Sequence, residues 1–345
     1  MIIPRKEQFS GCLIGQCLGD ALGFPVEGHS PEACRKYVEN ILRAIYNGEQ
    51  IEEKILIGQY TDDSQLAREL LQSYVECKKF DPRDYARRIA AIFSENRIVG
   101  RGRATELAAM RLAKGIPWED AGTPPGSAGN GSVMRAGPIG LMFFDNPQEL
   151  VSAAHDQGRI THKDSRCSAG AVAIAGAVAL SLQNKQIDTY HFLAQLGEWT
   201  KKFDRSVAGF IQQLNEWVKL PPEEAVNFIS KAGLEPGYSD QWEGISPFVT
   251  GSVLWSLYSF LRTPDDYRET ICTAIAVGGD VDTTAAMAGA VSGAYNGLEA
   301  IPSHLTSRLT DRGRWGFSEL VELADKCYDL KMRRIKGEPV VRPYK

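Results

Sequence analysis

Two short segments carry oxygen ligands densely enough to suggest chemistry. Tyr60-Thr61-Asp62-Asp63-Ser64 opens an amphipathic pattern, with Leu66, Leu70, Tyr74 and Cys77 following at three- and four-residue spacing. Gly278-Gly279-Asp280-Val281-Asp282-Thr283-Thr284 opens an Ala/Gly-rich stretch in the same way. Helix capping accounts for each acid taken alone, since Thr and Asp are good N-caps and acids suit a helix N-terminus. It accounts less well for two acids and two threonines bunched after a glycine pair. If the two segments meet, four carboxylates share a small volume. Like charges ~4 Å apart repel by about 4 kcal/mol at an effective dielectric near 20, against ~1 kcal/mol for a cap. Convergence therefore requires cations, or protonation of some of the acids. An all-oxygen ligand set suits Mg²⁺ or Mn²⁺ rather than zinc.

The elements that must position these segments are helical. Ser30-Pro31, Asp81-Pro82, Asn146-Pro147, Ser246-Pro247 and Thr263-Pro264 each place a capping residue before proline, a helix-start signature. Only Ile55-Leu56-Ile57 and Pro339-Val340-Val341 have strand character. Glycine recurs every four residues at Gly11, Gly15, Gly19 and Gly23, and again at Gly289, Gly293 and Gly297 after Ala285. Residues at i and i+4 share one helix face, and interior glycine costs roughly 0.5–1 kcal/mol relative to alanine. Close approach of neighbouring helices is the expected reason for both stripes. The apolar, uncharged window from Cys167 to Gln183 falls short of the ~20 residues a membrane span needs and is expected to be a buried core helix. No repeat or linker divides the chain. The expectation is all-α: a single compact domain over residues 1–337 with about a dozen helices, and a loose tail at 338–345.

The 345 residues are 43% hydrophobic and 24% charged, with a formal net charge of -4. Nothing supplies a basic footprint for nucleic acid, which would enter only as a modified substrate. Seven scattered cysteines without C-x-x-C spacing fit buried thiols in a reducing compartment. The N-terminus lacks a secretory apolar stretch, so a cytoplasmic protein without a membrane partner is expected.

Taken in order, several motifs resemble those of the ADP-ribosylglycohydrolase family, which includes the dinitrogenase-reductase-activating enzymes. They are Gly15-Gln16-Cys17-Leu18-Gly19-Asp20-Ala21-Leu22-Gly23, Glu27, Tyr60-Thr61-Asp62-Asp63, Gly129-Asn130-Gly131-Ser132-Val133-Met134-Arg135, Thr161-His162 and Gly279-Asp280-Val281-Asp282-Thr283. The resemblance runs from about Phe9 to beyond Ile301 and implies an all-α fold with two divalent ions, Mg²⁺ or Mn²⁺, in a central cleft. Thr61, Asp62, Asp63, Asp280, Asp282 and Thr283 match the metal ligands, and Glu27 matches an acid that approaches the metals. Glu27, Asp62 and Asp63 are then the candidate catalytic acceptors of a water proton. Asp20 is expected to hydrogen-bond inside the fold rather than to ligate. Gly129, Asn130, Gly131 and Ser132 match a segment that contacts ADP-ribose. The loop containing Gly100, Arg101, Gly102, Arg103, Ala104 and Thr105 resembles one near the ribose and diphosphate, and His162 falls where a residue near the adenosine is expected.

The implied activity is metal-dependent hydrolysis of the glycosidic bond joining ADP-ribose to a protein or small conjugate. Arginine is the first linkage expected. The stretch Asn96-Arg97-Ile98-Val99-Gly100-Arg101-Gly102-Arg103 departs from arginine-directed relatives, being basic where some of them carry an acid. The alternatives are a non-catalytic ADP-ribose-binding protein, a two-metal nucleotide phosphohydrolase, and a structural helical protein in which every acid is a cap.

Overall fold

The two glycine stripes are each other's partner. In the computed structural model, which describes residues 2–49, 58–235, 237 and 241–339, the helices Lys6–Gly23 and Val281–Asn296 lie antiparallel. A Cβ built on Gly11, Gly15 or Gly19 would stand 2.4, 2.4 or 2.2 Å from the carbonyl oxygen of Gly293, Gly289 or Ala285. One on Gly23 would stand 2.5 Å from Asp282 Cα. As the first stripe rises by four, its partner falls by about four. The backbones touch along four turns because no side chain stands between them. This contact brings the end of the first helix, with Glu27 just beyond it, beside the start of the second, with Asp280 and Asp282.

Other helices wrap this pair. Among the described residues there are eighteen α-helices and no β-ladder, only isolated bridges. The excess over the expected dozen includes the one-turn helices Arg43–Tyr46, Trp118–Ala121 and Ser303–Thr306, too short to leave a periodic pattern. Ser165–Gln183 is the one described helix long and apolar enough to cross a membrane, and 83% of its apolar window is buried inside the fold. All seven cysteines are free, and six are buried.

Three of the five Pro-based helix starts hold, with Ser30, Asp81 and Asn146 each accepting from backbone N–H groups of the turn they open. Two do not. After Ser246-Pro247 the helix begins only at Val249, because the Ser246 hydroxyl accepts from Phe248 N in a local turn. Thr263 ends a helix rather than starting one, and Asp266 captures the next start by accepting from Glu269 N. In the 204–244 region Trp217 stacks between Phe210 and Phe228, while Tyr238 lies outside the described residues. So do Ile55-Leu56-Ile57, Val340-Val341 and most of the expected tail.

Candidate active site

The Thr61 segment is held by a carboxylate from another helix. Asp20, fully buried, accepts from Thr61 N at 3.0 Å, the Thr61 hydroxyl at 2.9 Å and Ser64 N at 3.1 Å. Asp20 thus caps the helix Asp62–Cys77 from outside, the structural role expected of it. Thr61 occupies the N-cap position without a side-chain cap of its own, as does Asp280 on the helix Val281–Asn296. Asp282 takes the Thr283 N–H at 2.8 Å, but Asp280 provides no side-chain cap and Asp20 caps the other terminus, so capping does not explain the whole set of acids. Gln16, one turn before Asp20, ties the first helix to the Asp63 carbonyl at 3.1 Å and the Met134 carbonyl at 2.9 Å.

The acids converge. Glu27, Thr61, Asp62, Asp63, Asp280, Asp282 and Thr283 line one cleft of about 280 Å³, together with Gly100, Gly102, Gly129, Asn130, Gly131 and His162. Carboxylate oxygens of Glu27, Asp280 and Asp282 lie within 4.8 Å of one another. Asp63 accepts the Thr61 hydroxyl at 3.2 Å on one oxygen, while its other oxygen is buried without a partner. Burial, then neighbouring like charge, pushes the Asp63 and Asp282 carboxyls well above the usual range, and burial raises those of Asp62, Asp280 and Glu27. Five crowded acids with an orphaned buried oxygen fit divalent cations, which would supply the missing partner charge.

Two loops close the cleft opposite and beside the acids. Val99 accepts from Asp62 N at 2.7 Å, and Gln65 clamps the same strip by donating to the Arg97 carbonyl and accepting from Val99 N. Gly100 (φ 73°) then lies so close that a Cβ there would be 2.5 Å from Asp62 Oδ1. Arg101 and Arg103 both line the cleft; Arg101 is tied to Glu106 and Asn96, whereas Arg103 joins no ion pair among the described residues. Asn130, expected on the substrate, lines the cleft and donates to the Asp280 carboxylate and to Ser252. Ser132, also expected there, does not line the cleft. It is fully buried at the end of a single 3-10 turn, Asn130–Ser132, where its side chain faces Gly158.

The family model of ADP-ribosylglycohydrolases matches residues 1–336. The chain belongs to the ADP-ribosylglycohydrolase family. As a member it is a hydrolase. ADP-ribosylhydrolase ARH3 of Xenopus tropicalis is 29% identical over 98% of this chain and 99% of its own length. The ADP-ribosyl-[dinitrogen reductase] glycohydrolase of Rhodospirillum rubrum is 25% identical over 87% and 89%. A solved structure described as an ADP-ribosylglycohydrolase-related protein complex superposes with a TM-score of 0.68 at 25% identity, over 96% of this chain and 100% of that one.

In this member of the family, sequence reasoning gave Gln16 and Gln65 no role of their own and placed Thr105 only as the last residue of the Gly100 loop. Gln16 left a trace, being a polar residue four before Asp20 on an otherwise apolar helix face. Gln65 left none, because one polar residue in the first turns of an amphipathic helix reads as solvent-facing.

Proposed function

We propose that this chain hydrolyses the glycosidic bond at C1 of the distal ribose of an ADP-ribose conjugate, with two divalent cations, Mg²⁺ or Mn²⁺, held by Thr61, Asp62, Asp63, Asp280, Asp282 and Thr283. The observation that carries this reading is the meeting of both acid segments in one cleft with the Gly100 and Gly129–Gly131 loops. Bound cations would supply orientation of the ribose hydroxyls and acidification of a water. The chain's own residues do the rest. Glu27, Asp62 or Asp63 accepts the proton of the attacking water. The surrounding carboxylates favour positive charge developing on the ribose, whose transition state is oxocarbenium-like. Backbone at Gly129 and Gly131 approaches the diphosphate.

The conjugate is an ADP-ribosylated protein or a small molecule, met in the cytoplasm. The mouth favours a neutral, O-linked carrier over the arginine linkage first expected. No acid stands between Asn96 and Arg103, and a guanidinium would meet the unpaired Arg103 there.

Arginine- and serine-ADP-ribosylated peptides, incubated with Mg²⁺, Mn²⁺ or EDTA and followed by mass spectrometry, test both statements. The expected result is cation-dependent release of free ADP-ribose from the serine peptide, abolished in an Asp62→Ala, Asp280→Ala double variant. Faster release from the arginine peptide would overturn the linkage. AMP plus ribose phosphate would overturn the bond, in favour of a phosphohydrolase. Tight ADP-ribose binding without release from any conjugate would make the chain a reader.

A further inference from the structure

Whatever carries the ADP-ribose must leave the cleft past its exposed rim. Of the described residues lining the cleft, Glu27, Gly100, Arg101, Gly102 and Arg103 are exposed, and the others are buried or half-buried. Gly100 lies against Asp62, one of the proposed cation ligands, so this rim adjoins the end of the cleft where the glycosidic bond would sit. Gly102 is the N-cap of the helix Arg103–Ala113, which therefore starts on the rim and leads away from it.

That helix has two unlike faces. Thr105, Ala108 and Ala109 are buried beneath it. Arg103, Leu107, Met110 and Lys114 follow one another at spacings of four, three and four, which puts them on one face, and all four are exposed. A single exposed apolar residue means little. Here two large ones are neighbours, Leu107 at 40% and Met110 at 53%, among only eight so exposed in the described residues. The cations at the two ends of this ridge are uncommitted. Arg103 and Lys114 join no ion pair among the described residues, whereas Glu106, the acid on the flank of the ridge, is held by Arg101 at 2.6 Å.

The ridge is about 16 Å long, at ~1.5 Å per helical residue, and so matches about five residues of extended chain. Its apolar part is two side chains, far short of the roughly 1,200–2,000 Å² that a stable complex buries. A second copy of this chain would not be held by it. A substrate that must bind and leave suits so small an area, because the ADP-ribose in the cleft tethers it as well. Uncommitted cations at both ends, with the apolar pair between them, complement acids that flank an apolar residue.

We propose that the face formed by Arg103, Leu107, Met110 and Lys114 is where an ADP-ribosylated polypeptide docks, through an extended acidic and apolar segment within about five residues of the modified side chain. Protein carriers are thereby preferred over small conjugates of the same linkage. The assignment rests on the ADP-ribose reading of the cleft.

Steady-state hydrolysis by the full chain tests it on three substrates of the linkage it cleaves. One is a peptide with Asp and Leu on either side of the modified residue, one is a peptide of the same length with Gly and Ser flanks, and one is the ADP-ribosylated amino acid alone. Wild type should favour the Asp/Leu peptide by about tenfold in kcat/KM, through KM. A Leu107→Ser, Met110→Ser double variant should lose that preference while the other two substrates change less than about twofold; both side chains are exposed, so the fold should hold. Lys114→Glu should weaken the Asp/Leu peptide several-fold and recover when the Asp distant from the modified residue is replaced by Lys, a rescue that a structural defect would not give. Equal kcat/KM for the two peptides in wild type, a preference that survives the double variant, or equal losses on all three substrates would each overturn the docking face. So would a dimer in sedimentation that the double variant breaks, since a second copy would then cover the ridge. A wild type that releases ADP-ribose from no substrate would instead overturn the functional reading, and the docking face with it.

Discussion

At the scale of single residues, the segments that carry the acids are anchored by buried polar side chains of other helices. Asp20 accepts from two backbone N–H groups and, at 2.9 Å, from the Thr61 hydroxyl that it shares with Asp63. An Asp20→Asn variant presents an amide to donors that need an acceptor. It should lose about 2–4 kcal/mol of stability, read as a lower midpoint in chemical denaturation. His162 gives a pH signature. Burial, then the like charge of Arg135, lowers its pKa to about 3 from the usual 6.5. Below pH 6.5 the unfolded chain takes up a proton that the folded chain refuses. This contribution to stability is therefore complete above pH 6.5 and is lost as pH falls toward 3. His162→Asn should flatten that decline, seen by comparing urea midpoints at pH 7.5 and pH 5 in both proteins. Some of this was legible beforehand. Asp20 declares itself as an acid on a glycine-striped helix, where solvent exposure is implausible. Asn130 does not, because a residue between two glycines gives no sign that its amide will donate to Asp280.

At the scale of elements, the decisive contact is the antiparallel pair of glycine-striped helices. Gly15→Ala would drive a Cβ to 2.4 Å from the Gly289 carbonyl oxygen, and backbone cannot rotate away as a side chain can. The helices must separate. A loss of about 3 kcal/mol, the upper range for overpacking, is expected by thermal unfolding. Gly209 is the control. It lies inside the helix Arg205–Trp217, and a Cβ there meets nothing within 4 Å. The same change at that position should stabilise by about 0.5–1 kcal/mol, since only the helix-propensity gain remains. Each stripe could be seen in the sequence as a demand for close approach. Which helix would answer it could not, because glycine spacing has no complementary code and the two stripes lie far apart in the chain. Helix starts show the same limit. Ser30, Asp81 and Asn146 were legible because the cap and its turn are local. The start at Asp62 depends on Asp20, forty-two residues away in sequence, and no local pattern could report it.

At the scale of the whole molecule, three distant parts of the chain are folded into mutual repulsion. Glu27, the Asp62-Asp63 pair and Asp280 with Asp282 are pressed together by the helix pair and by Asp20, and burial raises every one of these carboxyls. The fold therefore carries a cost that a divalent cation, bound as proposed, would remove. A cation that binds the folded chain and not the unfolded one stabilises it by about 2.7 kcal/mol at a hundred times its Kd. EDTA-treated protein should melt several degrees below the same protein in Mg²⁺ or Mn²⁺. Asp63→Asn should then reverse the order of stabilities. Asp63 has one oxygen without a partner and faces the charges of Asp20, Asp62 and Asp280. Removing its charge relieves the apo protein but also removes a proposed cation ligand. In EDTA the variant should be more stable than wild type, and in saturating Mg²⁺ it should be less stable. Calorimetric melting of both proteins under both conditions reads the crossing directly, without any assay of activity. A variant less stable than wild type in both conditions would mean that Asp63 is held by the fold for its hydrogen bond to Thr61, and that the crowding carries no cost for a cation to remove.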